Sequence, residues 1–116
     1  MKKTPKGREV MFRVKVVAAD PSAPMVVVDD PRFPENMILS QPHGTKGARN
    51  LRAYYEANGH RSFPMDIRAY LPDGGSTFRL FGAWDGRTDL RDGGWQAGLP
   101  AESRVGLEIL RLFEGS

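Results

Sequence analysis

The chain has 116 residues, 40% of them hydrophobic and 27% charged, which is enough for one compact domain and too little for two. No run approaches the roughly 20 consecutive apolar residues that a membrane-spanning helix needs. With no cysteine at all, disulfides, thiolate metal sites and cysteine nucleophiles are excluded. The net charge of +3 is unevenly placed: residues 1–15 hold six of the 17 basic side chains (Lys2, Lys3, Lys6, Arg8, Arg13, Lys15) and one of the 14 acidic ones, Glu9. A flexible basic arm over residues 1–8 is therefore expected to precede a nearly neutral domain over residues 9–114. From Val10 the chain alternates apolar with charged residues instead of forming the continuous apolar segment of a secretory leader, so a cytoplasmic location is expected.

Val10, Phe12, Val14, Val16 and Ala18 alternate with Arg13 and Lys15, the pattern of a half-buried strand. Asp20 to Pro24 supply turn chemistry, and Met25 to Val28 read as a short strand covered on both faces, giving an antiparallel hairpin. Asp29 and Asp30 are adjacent, so in a strand they point to opposite faces; they read as polar residues ending it before Pro31. Pro31, Pro34, Pro42 and Gly44 leave room only for a short strand at Met37 to Leu39. Thr45 is a fitting N-cap, Ala48, Leu51 and Tyr55 recur at helical spacing, and Asn58-Gly59 is a left-handed stop, which predicts one helix over residues 46–58. A second hairpin comes next, with Met65, Ile67, Ala69 and Leu71 on one strand, a turn at Pro72 to Gly75, and Phe78, Leu80, Gly82 and Trp84 on the other. Residues 85–103 are expected to be a long irregular connection anchored by Trp84 and Trp95. Val105, Leu107 and Ile109 alternate with Gly106 and Glu108 ahead of an apolar end, which predicts a buried final strand over residues 104–113.

These elements predict an α+β fold, a β-grasp-like mixed sheet of five to six strands crossed by one helix. The alternative is an OB-like barrel, which uses the first three strands, the helix and two more strands but leaves the last strand surplus.

Motifs that carry chemistry are sparse. His43 and His60 are too far apart in sequence to share a metal by local spacing, and neither a nucleophile elbow nor a phosphate-binding loop occurs, so no catalytic residue, cofactor or metal is expected. Gly44, Thr45, Lys46 and Gly47 open the helix and form a candidate anion site, since backbone amides at a helix start attract negative charge. Arg49, Arg52, Tyr54, His60 and Arg61 form a candidate partner-binding patch at the helix end, and Arg79 and Phe81 add to it from a sheet face. In the barrel alternative, Arg13, Lys15, Arg68, Tyr70, Arg79 and Phe81 become outer-face contacts to single-stranded nucleic acid.

The C-terminal third resembles ubiquitin-like proteins: Phe78-Arg79-Leu80-Phe81, then Asp85-Gly86-Arg87-Thr88 with Leu90, Glu102-Ser103, Val105-Gly106-Leu107 and Leu110-Arg111-Leu112. The resemblance implies a non-enzymatic module that binds another protein. It departs from the family at Glu114-Gly115-Ser116, where conjugated members carry a diglycine, so transfer through the C-terminus is not expected. The family's recognition patch falls on Ile109 or Glu108 according to the alignment; alternation turns Ile109 inward with Val105 and Leu107, which leaves Phe81 as the matching apolar residue. The expected partner is thus another protein, with nucleic acid reached through the basic arm as the alternative, and no membrane is expected to be involved.

Overall fold

A computed structural model describes residues 7–17, 25–34, 37–39, 46–86 and 94–114. The elements are β1 (Gly7–Val17), β2 (Met25–Val28), β3 (Ile38–Leu39), α1 (Lys46–Ala57), β4 (Phe63–Pro72), β5 (Thr77–Ala83), β6 (Trp95–Pro100) and α2 (Arg104–Glu114). The chain is α+β: the strands form one six-stranded sheet in the order β3-β2-β1-β4-β5-β6. Every neighbouring pair is antiparallel, so this part of the sheet is not mixed. Both expected hairpins are present, one pairing Val14 with Val28 and the other Arg68 with Phe81.

Alternation in the sequence becomes a two-faced sheet because strand side chains point alternately to opposite sides. Phe12, Val14, Val16, Met65, Ile67, Ala69, Phe78 and Leu80 are all buried on the inner face. Trp95 lies opposite Gly82 there, and a Cβ on Gly82 would meet the Trp95 ring at 3.1 Å, so a small residue makes room for a large one. Leu51 and Tyr55 of α1 complete the core from the helix side. The helix ends in a Schellman arrangement: the Gly59 amide donates to Glu56 O and the His60 amide to Tyr55 O, with Gly59 at φ +74°.

Two expectations fail at the C-terminal end. Residues 104–113 are not a strand but most of helix α2, so among the described residues two helices accompany the sheet instead of one. The reason is local. Ser103 caps the helix, its Oγ accepting the Gly106 amide while its carbonyl accepts the Leu107 amide. Val105 and Ile109 recur at helical as well as alternating spacing, Leu112 fits the helical spacing alone, and Leu107, which alternation turns inward, is 51% exposed. Gly106 lets the helix start close against the preceding turn, since a Cβ there would overlap the carbonyl oxygens of Pro100 and Ala101. The neighbours of β1 are β2 and β4, and among the described residues no C-terminal strand lies beside it, as the last strand of a β-grasp would.

The second failure lies in the connection over residues 85–103, of which Trp95–Pro100 form strand β6 and 87–93 lie outside the described residues. Trp95, Ala97 and Leu99 pair with Gly82, Leu80 and Phe78. The small residues Ala97 and Gly98 conceal that strand from a reading based on β-branched and aromatic residues. β6 lies under the start of α1: a Cβ on Gly47 would meet the Gln96 amide nitrogen at 3.1 Å and its carbonyl oxygen at 3.3 Å. The Asn50 side-chain amide of α1 also donates to Gly94 O at 2.9 Å.

Candidate functional site

With α1 and α2 both packed toward the inner side, the opposite face of the sheet is left open among the described residues. The registers arrange its side chains in rows. Met11, Arg68, Phe81 and Gln96 lie across β1, β4, β5 and β6 in one row; Glu9, Tyr70, Arg79 and Gly98 lie on one side of it, and Arg13, Asp66 and Ala83 on the other. Lys15, Val27 and Ile38 continue the face toward β3. Thus Arg13, Lys15, Arg68, Tyr70, Arg79 and Phe81, which alternation assigns to one surface, do share it.

Exposed apolar groups stand out on this face. Met11 is 54% exposed and Ile38 59%, while Phe81 is half-buried. The Arg68 guanidinium lies 5.3 Å from the Phe81 ring centre and its Nε 3.4 Å from Glu9 Oε2, so Arg68 is held between an aromatic face and a carboxylate. The Tyr70 ring lies beside Gly7, where a Cβ would meet it at 2.7 Å. Among the described residues, no ion pair engages Arg13, Lys15 or Arg79.

The candidate patch built from helix and sheet residues is divided by the fold. Arg49, Arg52, His60 and Arg61 lie around α1 and its C-terminal turn, on the side of the sheet opposite to Arg79 and Phe81. Tyr54 is an anchor of the core margin, with its ring centre 4.8 Å from that of Phe63 and 5.8 Å from that of Trp84. His60 sits in a left-handed conformation at φ +60°, its ring edge-on to Tyr55 at 5.4 Å. Of the candidate anion site, Gly44 and Thr45 lie outside the described residues, as does His43; Lys46 is exposed, and Gly47 is buried against the β6 backbone. Trp84 and Trp95 are buried as expected of anchors. Ile109 is buried, and Glu108 is half-buried and paired with Arg111.

Asp30 does more than end a strand. Its Oδ1 accepts the Arg32 amide at 3.0 Å and Arg32 Nε at 2.9 Å, while Oδ2 accepts Arg32 Nη2 at 2.8 Å and the Arg13 amide at 3.1 Å. Arg32 Nη2 also donates to Met11 O. The pair thereby continues along β1 the hydrogen bonding that β2 stops supplying, and the Arg32 guanidinium holds the Asp30 carboxyl well below the usual carboxylate range. Neither Met11 nor this clasp is among the site residues expected from the sequence, for different reasons. Met11 has the same alternation phase as Arg13 and Lys15, so its exposure is readable; the clasp depends on a turn that spacing does not encode.

Among the described residues, no three His, Asp or Glu side chains converge as a metal site. Comparison with known proteins finds no matching family model, no matching curated protein and no matching solved structure.

Proposed function

We propose that this chain is a non-enzymatic binding module that engages another protein through the open face of its sheet. The observation that carries the reading is the co-location of exposed Met11 and Ile38 with Phe81 and with cationic side chains on the sheet face that no helix covers among the described residues. Methionine, aromatic residues and arginine are the side chains enriched in protein interfaces, where they combine large contact area with directed polar groups. The ubiquitin-like comparison contributes Phe81 to this surface. It loses the support of a C-terminal strand, and with that strand the main reason for ranking a β-grasp above a barrel-like arrangement.

The test is to select binders from a random peptide library and map them by amide chemical shifts. Shifts clustered at Met11, Arg68, Phe81 and Ile38 are the expected result; shifts clustered at Arg49, Arg52 and Arg61 would move the site to the helix side and overturn the reading.

A second reading, single-stranded nucleic acid, is favoured by the shared face of Arg13, Lys15, Arg68, Tyr70, Arg79 and Phe81. It ranks lower because base stacking needs an open aromatic face. Arg68 covers Phe81, and Glu9 and Asp66 place negative charge in the path of a phosphate backbone. Oligonucleotide anisotropy that falls steeply with added salt would reverse this ranking.

A further inference from the structure

We infer that the open sheet face takes an extended acidic protein segment with one bulky apolar side chain between two carboxylates, each two positions from it. This inference rests on the reading of that face as the protein-binding surface and adds the chemistry of the partner.

The apolar anchor point is a depression of about 200 Å³ lined by Met11, Asp66, Arg68, Phe81 and Ala83. That exceeds the roughly 150 Å³ of an apolar protein cavity known to hold a benzene ring, so one phenylalanine or leucine side chain is the matching load. Its walls are the Met11 thioether chain, the Phe81 ring, the Ala83 methyl and the stem of Arg68, whose charged head is already turned onto the Phe81 ring. An apolar side chain entering here covers surface that the monomer leaves in water.

The flanking carboxylates are dictated by the register. Arg79 lies two residues along β5 from Phe81, and Arg13 lies two residues along β1 from Met11, in the rows on either side of the depression. Two residues of strand span about 7 Å, which is also the spacing of same-side side chains in an extended ligand. A ligand crossing the face diagonally from β5 to β1, with its apolar residue in the depression, therefore brings the side chain two positions away on one side within reach of Arg79 and on the other within reach of Arg13. Lys15, a further two residues along β1, reinforces the Arg13 end. These three cations have no ion-pair partner among the described residues, whereas Arg68 is already satisfied by Glu9. Two carboxylates share this face: Glu9, in the row of Arg79, is paired with Arg68, and Asp66 faces Arg13 across the β1–β4 ladder without an ion pair to it among the described residues. Removing the Asp66 charge should strengthen the complex, an effect with no counterpart in a purely structural role for this face.

The experiment uses the full chain and a fluorescein-labelled peptide in which threonine spacers separate a central phenylalanine from a glutamate on each side. Controls replace the phenylalanine by alanine or both glutamates by glutamine. Saturable anisotropy is expected, with amide shifts at Met11, Arg68 and Phe81. Arg13→Gln and Arg79→Gln should each weaken binding about two- to fivefold, the range of a solvent-exposed ion pair. Asp66→Asn should tighten binding by a similar factor, and loss of the phenylalanine ring should cost roughly tenfold or more. Circular dichroism of each variant separates these effects from unfolding. Equal binding of the glutamine peptide, or Asp66→Asn weakening the complex, would overturn the acidic-segment inference. If library-selected peptides shift the same amides while the glutamate peptide does not bind, the inference fails and the sheet-face reading stands. If an oligonucleotide shifts these amides and no peptide does, both fail in favour of nucleic acid.

Discussion

Replacing Asp30 by asparagine isolates the clasp that joins the turn after β2 to β1. Asparagine keeps the size and one carbonyl oxygen but turns the other carboxylate oxygen into an amide donor. If the carbonyl stays where it can accept the Arg32 amide, the new NH2 group faces the Arg13 amide, leaving a donor unsatisfied where Oδ2 had accepted it at 3.1 Å. Such a loss costs about 1–3 kcal/mol, toward the lower end here because water reaches the edge of the site. The paired charge adds less, since the Arg32 side chain is 48% exposed and pairs of that kind contribute about 0.2–1 kcal/mol. The two together come to about 2 kcal/mol. At about 2.1 cal/mol/K of unfolding entropy per residue, a chain of 116 residues should then melt about 8 °C lower.

The pH dependence gives a second, sign-specific check on the same variant. The Asp30 carboxyl is depressed in the folded state, so its stabilisation is complete above the unfolded carboxyl pKa of about 4 and is lost as pH falls toward the folded value. The difference in melting temperature between the native chain and Asp30→Asn should be constant from neutral pH to about pH 5 and narrow progressively below about 4. All other carboxylates titrate in both chains and cancel in the comparison. Thermal unfolding by circular dichroism across this range is the assay. A variant as stable as the native chain at neutral pH, or a gap that stays constant down to about pH 2.5, would refute the reasoning.

Further substitutions address the second helix and the core. Ser103→Ala removes the cap on the Gly106 amide and should cost about 1 kcal/mol in urea unfolding. Gly106→Ala, which would gain up to about 1 kcal/mol in an unobstructed helix, should instead destabilise by about 2 kcal/mol or more, because the new methyl meets the carbonyl oxygens of Pro100 and Ala101. A net gain at this position would mean that the helix start is not held against that turn. Tyr55→Phe should be neutral or stabilising by up to about 1 kcal/mol, since the hydroxyl is buried without a hydrogen-bond partner; a clear loss of stability would reveal an acceptor for it.

The features legible in the sequence are those that depend on period. Phe12, Val14 and Val16, and the residues from Met65 to Ala69, alternate strictly and lie where alternation puts them. The same rule places Arg68, Tyr70, Arg79 and Phe81 together on the open face. The tail is ambiguous for a physical reason: Val105 and Ile109 lie on one face of a helix and also on one face of a strand. The choice between them is made by the Ser103 cap, a short-range hydrogen bond that an apolar pattern does not register. β6 is hidden because its strand character comes from its ladder with β5 and not from its own side chains. Strand pairing also divides the candidate patch, since Arg52 and Arg79 are linked by composition and separated by the thickness of the sheet.

The seating of Gly47 against Gln96 governs how the molecule behaves at high concentration. In the β5–β6 ladder the Ala101 amide bonds Ser76 O, so the residues of β6 in that phase face inward and the backbone groups of Gln96 and Gly98 point away from the sheet. An added strand would need a run of such groups. It meets the start of α1 at Gln96 and a proline without an amide hydrogen at residue 100, which leaves Gly98 alone between them. The opposite margin, β3, is two residues long. Among the described residues, sheet-to-sheet polymerisation therefore finds little to template on, and the lack of a side chain at Gly47 is what keeps the helix close enough to block it. A larger residue there would do its harm twice, first by loosening α1 and then by uncovering a strand that other copies of the chain could extend.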